Sequence, residues 1–275
     1  MPSLSTPVHS TAGTAPAPAA TVARAASRRV IDAPTRMFHW LFALSFVGAY
    51  ATAESESWRA LHVTLGYTLV GLLIFRVGYS LLGPRQAGLG QHWRKLAAAP
   101  EWLRSVLAKP WLESVNWRHG QNLAMAAAVV ALLLMVLPLA LSGWLTYESW
   151  GGDWLEEVHE FFGQTFLSLV LAHLALIVGI SLLRRRNQAL PMLTGRQEGG
   201  GPDLVKDNRR WLATLLLAAA AGFSAWQWQQ FPNGLLPAGG GAEGLAQERL
   251  RDKKDHHHRE RQLERLKPIV QRAPG

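Results

Sequence analysis

The residues in this sequence best suited to chemistry are four histidines that stand in long apolar segments, His39, His62, His159 and His173. Ionisable side chains are costly inside a membrane, so those found in a span usually serve a function. His159 and His173 are 14 residues apart in one segment. That spacing places both imidazoles on nearly the same helix face, roughly 21 Å apart along the axis. Two ligands arranged in this way would suit two cofactors stacked across a bilayer.

Four apolar segments are predicted to position these histidines as membrane-spanning helices. They cover residues 36–53, 61–82, 122–146 and 154–183, and a shorter fifth candidate covers residues 211–228. A span needs about 20 mostly apolar residues, which the first four segments provide and the fifth provides only marginally. The sequence therefore predicts an all-α integral membrane protein, built as a four-helix bundle with a candidate fifth transmembrane helix.

Basic residues are concentrated on one predicted side of the membrane. They precede the first helix, fill the loop between the second and third helices, and follow the fourth helix at Arg184, Arg185 and Arg186. The other two loops are short and mostly acidic. The positive-inside rule then predicts a multi-pass membrane protein with a cytoplasmic N-terminus. Because the net charge of +9 is distributed by membrane side, it does not indicate nucleic-acid binding.

Antiparallel helices would bring the four histidines together in two pairs at matching depth. His62 would meet His159 near the periplasmic face, and His39 would meet His173 nearer the cytoplasm. Each pair offers two imidazoles from different helices, as a six-coordinate haem iron requires. The 275 residues contain no Cys, which excludes covalent c-type haem, Cys-ligated iron–sulfur clusters and disulfides. Any haem in this protein must therefore be held by axial ligands and packing alone.

Two glycines and two arginines are further candidates for cofactor binding. Gly66 and Gly163 each follow a histidine by four residues, where a missing side chain would leave room for a flat macrocycle. Small residues that let helices pack closely are the alternative reading. Arg76 and Arg36 are candidates to reach the propionates of the inner haem. Arg76 could instead extend to the lipid headgroups at the membrane surface.

The two ends of the chain differ in composition from the apolar core. Residues 1–29 are rich in Ala, Pro, Thr and Ser without an acidic residue, which predicts a disordered cytoplasmic tail; an organellar transit peptide is a minor alternative. Residues 197–238 are read as a linker with the fifth helix, and residues 239–275 as a charged periplasmic tail. Such a tail could dock an acidic c-type cytochrome. Within it, His256–His258 could bind a metal, although a solvated charged helix is the simpler reading.

Several motifs together give the sequence a resemblance to a known family. They are "DAPTRMFHW" around His39, "LHVTLGYTLVGLLIFRVGYSLLGPRQA" around His62, "HGQNLA" before the third helix, and "EEVHE" and "LVLAHL" around His159 and His173. Over residues 30–196 the chain resembles the bacterial dihaem membrane cytochromes b, the group of cytochrome b-561 and the b subunit of nickel–iron hydrogenases. The resemblance implies that these four histidines are axial ligands of two b haems in a four-helix bundle.

The same resemblance implies electron transfer between the quinone pool and a periplasmic c-type cytochrome or hydrogenase, with membrane lipid around the bundle. His39 and His62 are only 23 residues apart, a shorter separation than in the hydrogenase subunits. Two other functions stay open on the sequence alone. One is a self-sufficient quinol or superoxide:quinone oxidoreductase, with quinone as substrate. The other is a non-redox transporter or scaffold, which predicts a colourless protein.

Overall fold

The computed structural model describes residues 27–84, 88–107, 115–231 and 235. The longer helices there are α1 (Ala33–Ala51), α2 (Arg59–Leu82, preceded by a 3-10 turn at Glu56–Trp58), α5 (Trp117–Tyr147), α6 (Trp154–Arg184) and α8 (Arg210–Gln230). The short elements are β1 (Ser27–Arg29), α3 (Gly90–Ala97), α4 (Ala99–Leu107), α7 (Leu190–Thr194) and β2 (Arg196–Glu198). The tail residues His256–His258 lie outside these ranges.

Two helix pairs form the bundle. α1 packs along α2, α5 packs along α6, and α2 joins the pairs by packing against α5. Their common core contains Phe46, Leu69, Leu73, Val136 and Phe166, so all four helices contribute to it. The mainly helical architecture predicted from the sequence is confirmed. The helices cross with large apolar side chains at the centre, which is the packing expected of a helical bundle.

Membrane-spanning character is clear for three helices. By length and composition, the described part of the chain holds three candidate spans, Glu56–Leu82, Trp117–Tyr147 and Trp154–Arg184. α1 is not among them because its 19 residues include Arg36 and His39. α8 is not among them either; it is alanine-rich and ends in three glutamines among its last four residues.

The first helix begins earlier than its apolar pattern predicts. Asp32 caps it, since its side chain accepts a hydrogen bond from the Thr35 backbone N–H, and Pro34 occupies the first turn. Proline is favoured there because its missing N–H would have no partner in any case. The helix consequently covers residues 33–51 instead of 36–53. His39 thus falls in its second turn.

A two-stranded ribbon corrects the predicted boundary of the N-terminal tail. Residues 27–29 were assigned to the disordered tail, yet they form β1 and pair antiparallel with β2, with Arg28 opposite Gln197. The Arg196 guanidinium fixes this pairing by donating to the Ser27 carbonyl over 2.6 Å. Neither segment is apolar, so hydrophobic patterning gave no sign of the pairing. The remaining tail residues, 1–26, lie outside the described ranges.

The segment after β2 ties α8 to the start of α1. The Asp203 carboxylate accepts the Arg29 backbone N–H over 2.6 Å, and the Asn208 carbonyl accepts the Ala33 N–H over 3.2 Å. α8 then packs along α1, where Leu216 joins Phe38 in a buried cluster. The region predicted as a linker is therefore held against the bundle along much of its length.

The loop predicted between the second and third helices contains α3 and α4. Trp102 of α4 lies against Gly120, where an added Cβ would come within 2.4 Å of the indole. Gln121 then binds the Arg184 guanidinium at 2.7 Å, which joins the start of α5 to the end of α6. These contacts give the "HGQN" motif a structural role at the junction of α4, α5 and α6.

Candidate functional site

His62 and His159 lie next to each other at one end of the bundle, here called the His62 end. Their ring centroids are 6.0 Å apart and the rings are nearly perpendicular, at 87°. The Nδ1 atom of His62 lies 2.8 Å from the Ala49 carbonyl, and the Nδ1 atom of His159 lies 3.1 Å from the Leu139 carbonyl. A carbonyl can only accept, so Nδ1 carries the hydrogen in both rings. Each Nε2 consequently keeps a lone pair for a metal ion.

The separation of the two rings fits a metal ion held between them. A metal–imidazole bond is about 2 Å long, so two imidazoles on opposite sides of one ion have centroids roughly 6 Å apart. Rotation about such bonds leaves the angle between the rings free. Gly143 allows His159 to occupy its position, because a Cβ there would be only 2.7 Å from the imidazole Cε1. These residues therefore fit axial ligation of a haem.

His39 and His173 approach each other at the opposite end, the His39 end. They are close enough to interact electrostatically. In contrast to the first pair, the Nδ1 atoms of both rings are buried without a hydrogen-bond partner among the residues described. Buried polar atoms in folded proteins nearly always have a partner. The two unpartnered imidazoles thus mark a place where further polar or metal chemistry is expected.

An apolar layer separates the two histidine pairs. Phe166 lies seven residues from both His159 and His173, and only 1% of it is exposed. Its ring centroid is 4.6 Å from that of Phe46 and 6.3 Å from that of Phe42. This layer excludes water from the middle of the bundle. The two histidine pairs are thus separated by a dry aromatic region.

The two candidate glycines have open space beside them. A Cβ added to Gly66 or Gly163 would meet no protein atom within 4 Å. Close helix packing would instead have placed a neighbouring side chain or backbone against the glycine, as Trp102 lies against Gly120. The geometry therefore argues against the packing explanation and accommodates a flat group beside each histidine.

The two candidate arginines have protein partners at the His39 end. Arg36 donates from Nη1 to the Leu193 carbonyl over 2.9 Å, and its Nε is buried without a partner in the described ranges. Arg76 is 6% exposed, lies over the Phe38 ring at 5.9 Å, and interacts electrostatically with buried Asp32. Arg76 therefore does not extend to the membrane surface. A haem propionate near Arg76 would therefore have to compete with the Asp32 carboxylate for the positive charge of the Arg76 guanidinium.

Sequence reasoning missed two features of this end. Asp32 accepts a hydrogen bond of 2.6 Å from the Tyr79 hydroxyl and is only 2% exposed. His92 falls in the loop predicted between the second and third helices, yet it lies on α3, where burial, followed by Lys95 and Arg76, lowers its pKa to about 4. Asp32 stands just before a helix that has Pro34 in its first turn, which is a pattern typical of a helix N-cap. Nothing in the sequence linked this aspartate to Tyr79.

No group of three or more His, Asp or Glu residues that could hold a bare metal ion occurs in the described part of the chain. A bis-imidazole haem needs only two side-chain ligands, so this finding leaves the histidine pairs as candidates. In comparisons with known proteins, the family model described as prokaryotic cytochrome b561 matches residues 30–195. Neither the curated proteins nor the solved structures gave a match. The matched range agrees with the resemblance predicted from the sequence over residues 30–196.

Proposed function

Because this chain belongs to the prokaryotic cytochrome b561 family, we propose that it carries electrons across the bacterial inner membrane between two b haems, one at each histidine pair. Family membership makes it a membrane b-type cytochrome that functions in electron transfer. The observation that carries the finer proposal is the placement of two histidine pairs at opposite ends of one bundle. Four helices, α1, α2, α5 and α6, form the spanning core of this proposal, with α8 as a fifth.

The axial ligands in this proposal are His62 with His159 and His39 with His173. Haem bound at each pair would supply a one-electron iron centre. The Ala49 and Leu139 carbonyls hold the N–H of the first pair and fix the tautomer that presents Nε2. Such outer partners orient a metal-binding imidazole and raise its basicity. Gly66 and Gly163 provide space for the macrocycles, and Arg36 and Arg76 place positive charge near the inner one.

The chain's own residues also determine how electrons pass between the sites. Phe42, Phe46 and Phe166 keep the middle of the bundle dry, which lowers the dielectric constant around both centres. If the two imidazoles of each pair hold a haem, they would leave no coordination position for a substrate, and the haem would supply electron transfer alone. A quinone would therefore exchange electrons at a haem edge. We propose the quinone pool as the membrane partner and a soluble redox protein, such as a c-type cytochrome or hydrogenase, as the periplasmic one.

The proposal is tested first by counting haems in the purified, detergent-solubilised protein. We expect two b haems per chain in a reduced-minus-oxidised spectrum, and about one in either His159→Ala or His173→Ala. His119→Ala is the matched control, since His119 lies outside both pairs, and it should keep two. A colourless wild-type protein would overturn the proposal in favour of a non-redox transporter or scaffold. A loss of both haems in His119→Ala would show that the assay reports folding and not ligation.

The partner is tested separately on the wild-type protein in lipid nanodiscs. Addition of a quinol should reduce both haems, and a soluble oxidised c-type cytochrome should then reoxidise them. Reduction by quinol that is never passed to any soluble acceptor would contradict the proposed periplasmic partner while leaving the dihaem assignment intact.

A further inference from the structure

A groove at the His62 end has no role in the electron-transfer proposal. It runs between the start of α2 and the end of α8, has a volume of about 530 Å³, and is lined by Leu61, Ser224, Ala225, Trp228, Gln229 and Leu235. We call it the α2–α8 groove. Its lining is mostly apolar, and Leu61 directly precedes the proposed haem ligand His62. We therefore expect this apolar groove, which lies beside a proposed haem site, to be covered by an apolar segment or ligand.

The chain itself enters this groove. Leu235 is one of the lining residues and is only 4% exposed. Another 40 residues of the sequence follow it, and they begin with the apolar residues Leu236, Pro237 and Ala238. The segment with the shortest path into the groove is therefore the continuation of this same chain. A tethered segment also binds at a high effective concentration, which an independent partner does not have.

The two loops at the His62 end of the bundle are acidic. Residues 52–60 and 148–160 carry seven acidic side chains, all exposed: Glu54, Glu56, Glu148, Asp153, Glu156, Glu157 and Glu160. Arg59 is the one Lys or Arg in these two ranges, and it pairs with Glu56 at 3.3 Å. We call this surface, with a net charge of −6, the acidic rim. It lies at the end of the bundle where α8 ends.

The sequence beyond Leu235 has the opposite charge. Residues 249–272 contain nine Lys or Arg and four Asp or Glu, a net charge of +5. Complementary charge orients and selects an interaction more than it adds affinity. The segment after Leu235 thus begins with apolar residues, which suit the apolar groove. It continues with a basic stretch, which suits the acidic rim.

We propose that residues 236–275 dock on the His62 end of their own chain. Their apolar start occupies the α2–α8 groove, and the basic stretch 249–272 lies on the acidic rim. This occupant replaces the expectation that the tail recruits an acidic cytochrome, because a tail neutralised by the rim offers little charge to such a partner.

The absence of Cys from the sequence permits a direct test by disulfide trapping in the full-length protein. The test pair is Glu157→Cys with Lys254→Cys, which joins the rim to the basic stretch. The control is the same pair in a chain that also carries Arg251→Glu, Lys253→Glu, Arg259→Glu and Arg261→Glu, which keeps the length of the tail and its side of the membrane but reverses its charge. Under mild oxidation we expect an intrachain disulfide in the test pair at a yield about tenfold above the control, owing to effective concentration. At 1 M salt the yield should fall, since the Debye length is then about 3 Å.

Two further variants connect the trapping to the proposed contacts. Charge reversal by Lys253→Glu and Arg251→Glu should lower the yield of the test pair, and Ala225→Trp, which fills the groove, should lower it as well. Haem content per chain, measured on every variant, confirms that each protein is folded. Equal yields in the test and control pairs would overturn the proposal and leave the groove to lipid or a separate partner. Disulfides formed only between two chains, when single-Cys variants are mixed, would overturn it in favour of a second copy.

Discussion

The two ends of the bundle present their histidines in different ways. At the His62 end, both Nδ1 atoms have a backbone carbonyl partner and the rings are 6.0 Å apart. At the His39 end, both Nδ1 atoms are buried without one in the residues described, and the charged residues Asp32 and Arg76 lie nearby. The first end is organised by backbone hydrogen bonds, which sequence changes cannot easily remove. The second depends on side-chain charge, which a single substitution alters.

Under the proposed assignment of one haem to each histidine pair, this difference means that the properties of the two haems are set by different means. Backbone hydrogen bonds to the ligands fix geometry and basicity at the His62 end. Charge in a medium of low dielectric constant governs the potential at the His39 end, where a buried group has a larger effect than the same group in water. Substitutions at one end are therefore expected to change one haem and leave the other unaltered.

The largest effect is expected from Gly143→Leu at the His62 end. A side chain at this position would occupy the place of the His159 ring, since even a Cβ would lie 2.7 Å from Cε1 and 3.0 Å from Nδ1. We expect the haem content to fall from two to about one per chain. Gly71→Leu in α2 is the control, because an added Cβ there meets no protein atom within 4 Å. Two haems with an unchanged spectrum in Gly143→Leu would mean that His159 is not a ligand.

The next largest effect is expected from Asp32→Asn at the His39 end. Removing the carboxylate weakens its electrostatic interaction with buried Arg76 and its hydrogen bond with the Tyr79 hydroxyl, which costs about 1–3 kcal/mol in the free energy of unfolding. It also makes the oxidised, more positive haem less favourable, so the midpoint potential of one haem should rise by tens of millivolts. Redox titration measures the potential and thermal unfolding measures the stability. Asp153→Asn, an exposed site whose side chain caps nothing, should change neither. Equal shifts of both haems would contradict the separation of the two ends.

A smaller, pH-dependent effect is expected from His92, also near the His39 end. Its pKa is lowered to about 4 by burial, Lys95 and Arg76, whereas an unfolded histidine titrates near 6.5. Between pH 6.5 and pH 4, the unfolded chain binds a proton at this histidine that the folded chain does not bind. The free energy of unfolding is therefore highest above pH 6.5 and decreases as the pH falls toward 4. His92→Gln should reduce this acid-induced loss by about 1–2 kcal/mol, after discounting for solvent screening. Thermal unfolding from pH 7 to pH 4 measures it, with His119→Gln as control. Identical pH curves for His92→Gln and the wild type would show that His92 titrates normally.

The sequence predicted what depends on periodicity and missed what depends on contacts between distant polar residues. The 14-residue spacing predicted that His159 and His173 share one helix, and both lie in α6, because helical geometry alone fixes which face they share. Nothing in the sequence linked Asp32 to Tyr79, which are 47 residues apart, or Ser27 to Glu198 in the ribbon. Likewise, glycines 66 and 163 were identifiable from their offset to histidine, whereas Gly143 was not. A glycine is required at position 143 because the His159 ring of α6 lies against it. No pattern along α5 indicates that contact.

The smallest effect is expected from Ser142→Ala, and it tests whether the backbone is what orients His159. The Ser142 hydroxyl lies 3.3 Å from His159 Nδ1 and also donates to the Leu139 carbonyl over 3.1 Å. Without it, the Leu139 carbonyl still accepts the imidazole N–H and has one competitor fewer. We therefore expect two haems per chain and a decrease of about 20 mV or less in one midpoint potential, from a slightly more basic imidazole. Loss of a haem, or a shift larger than that of Asp32→Asn, would show that a side chain and not the backbone organises the His62 end.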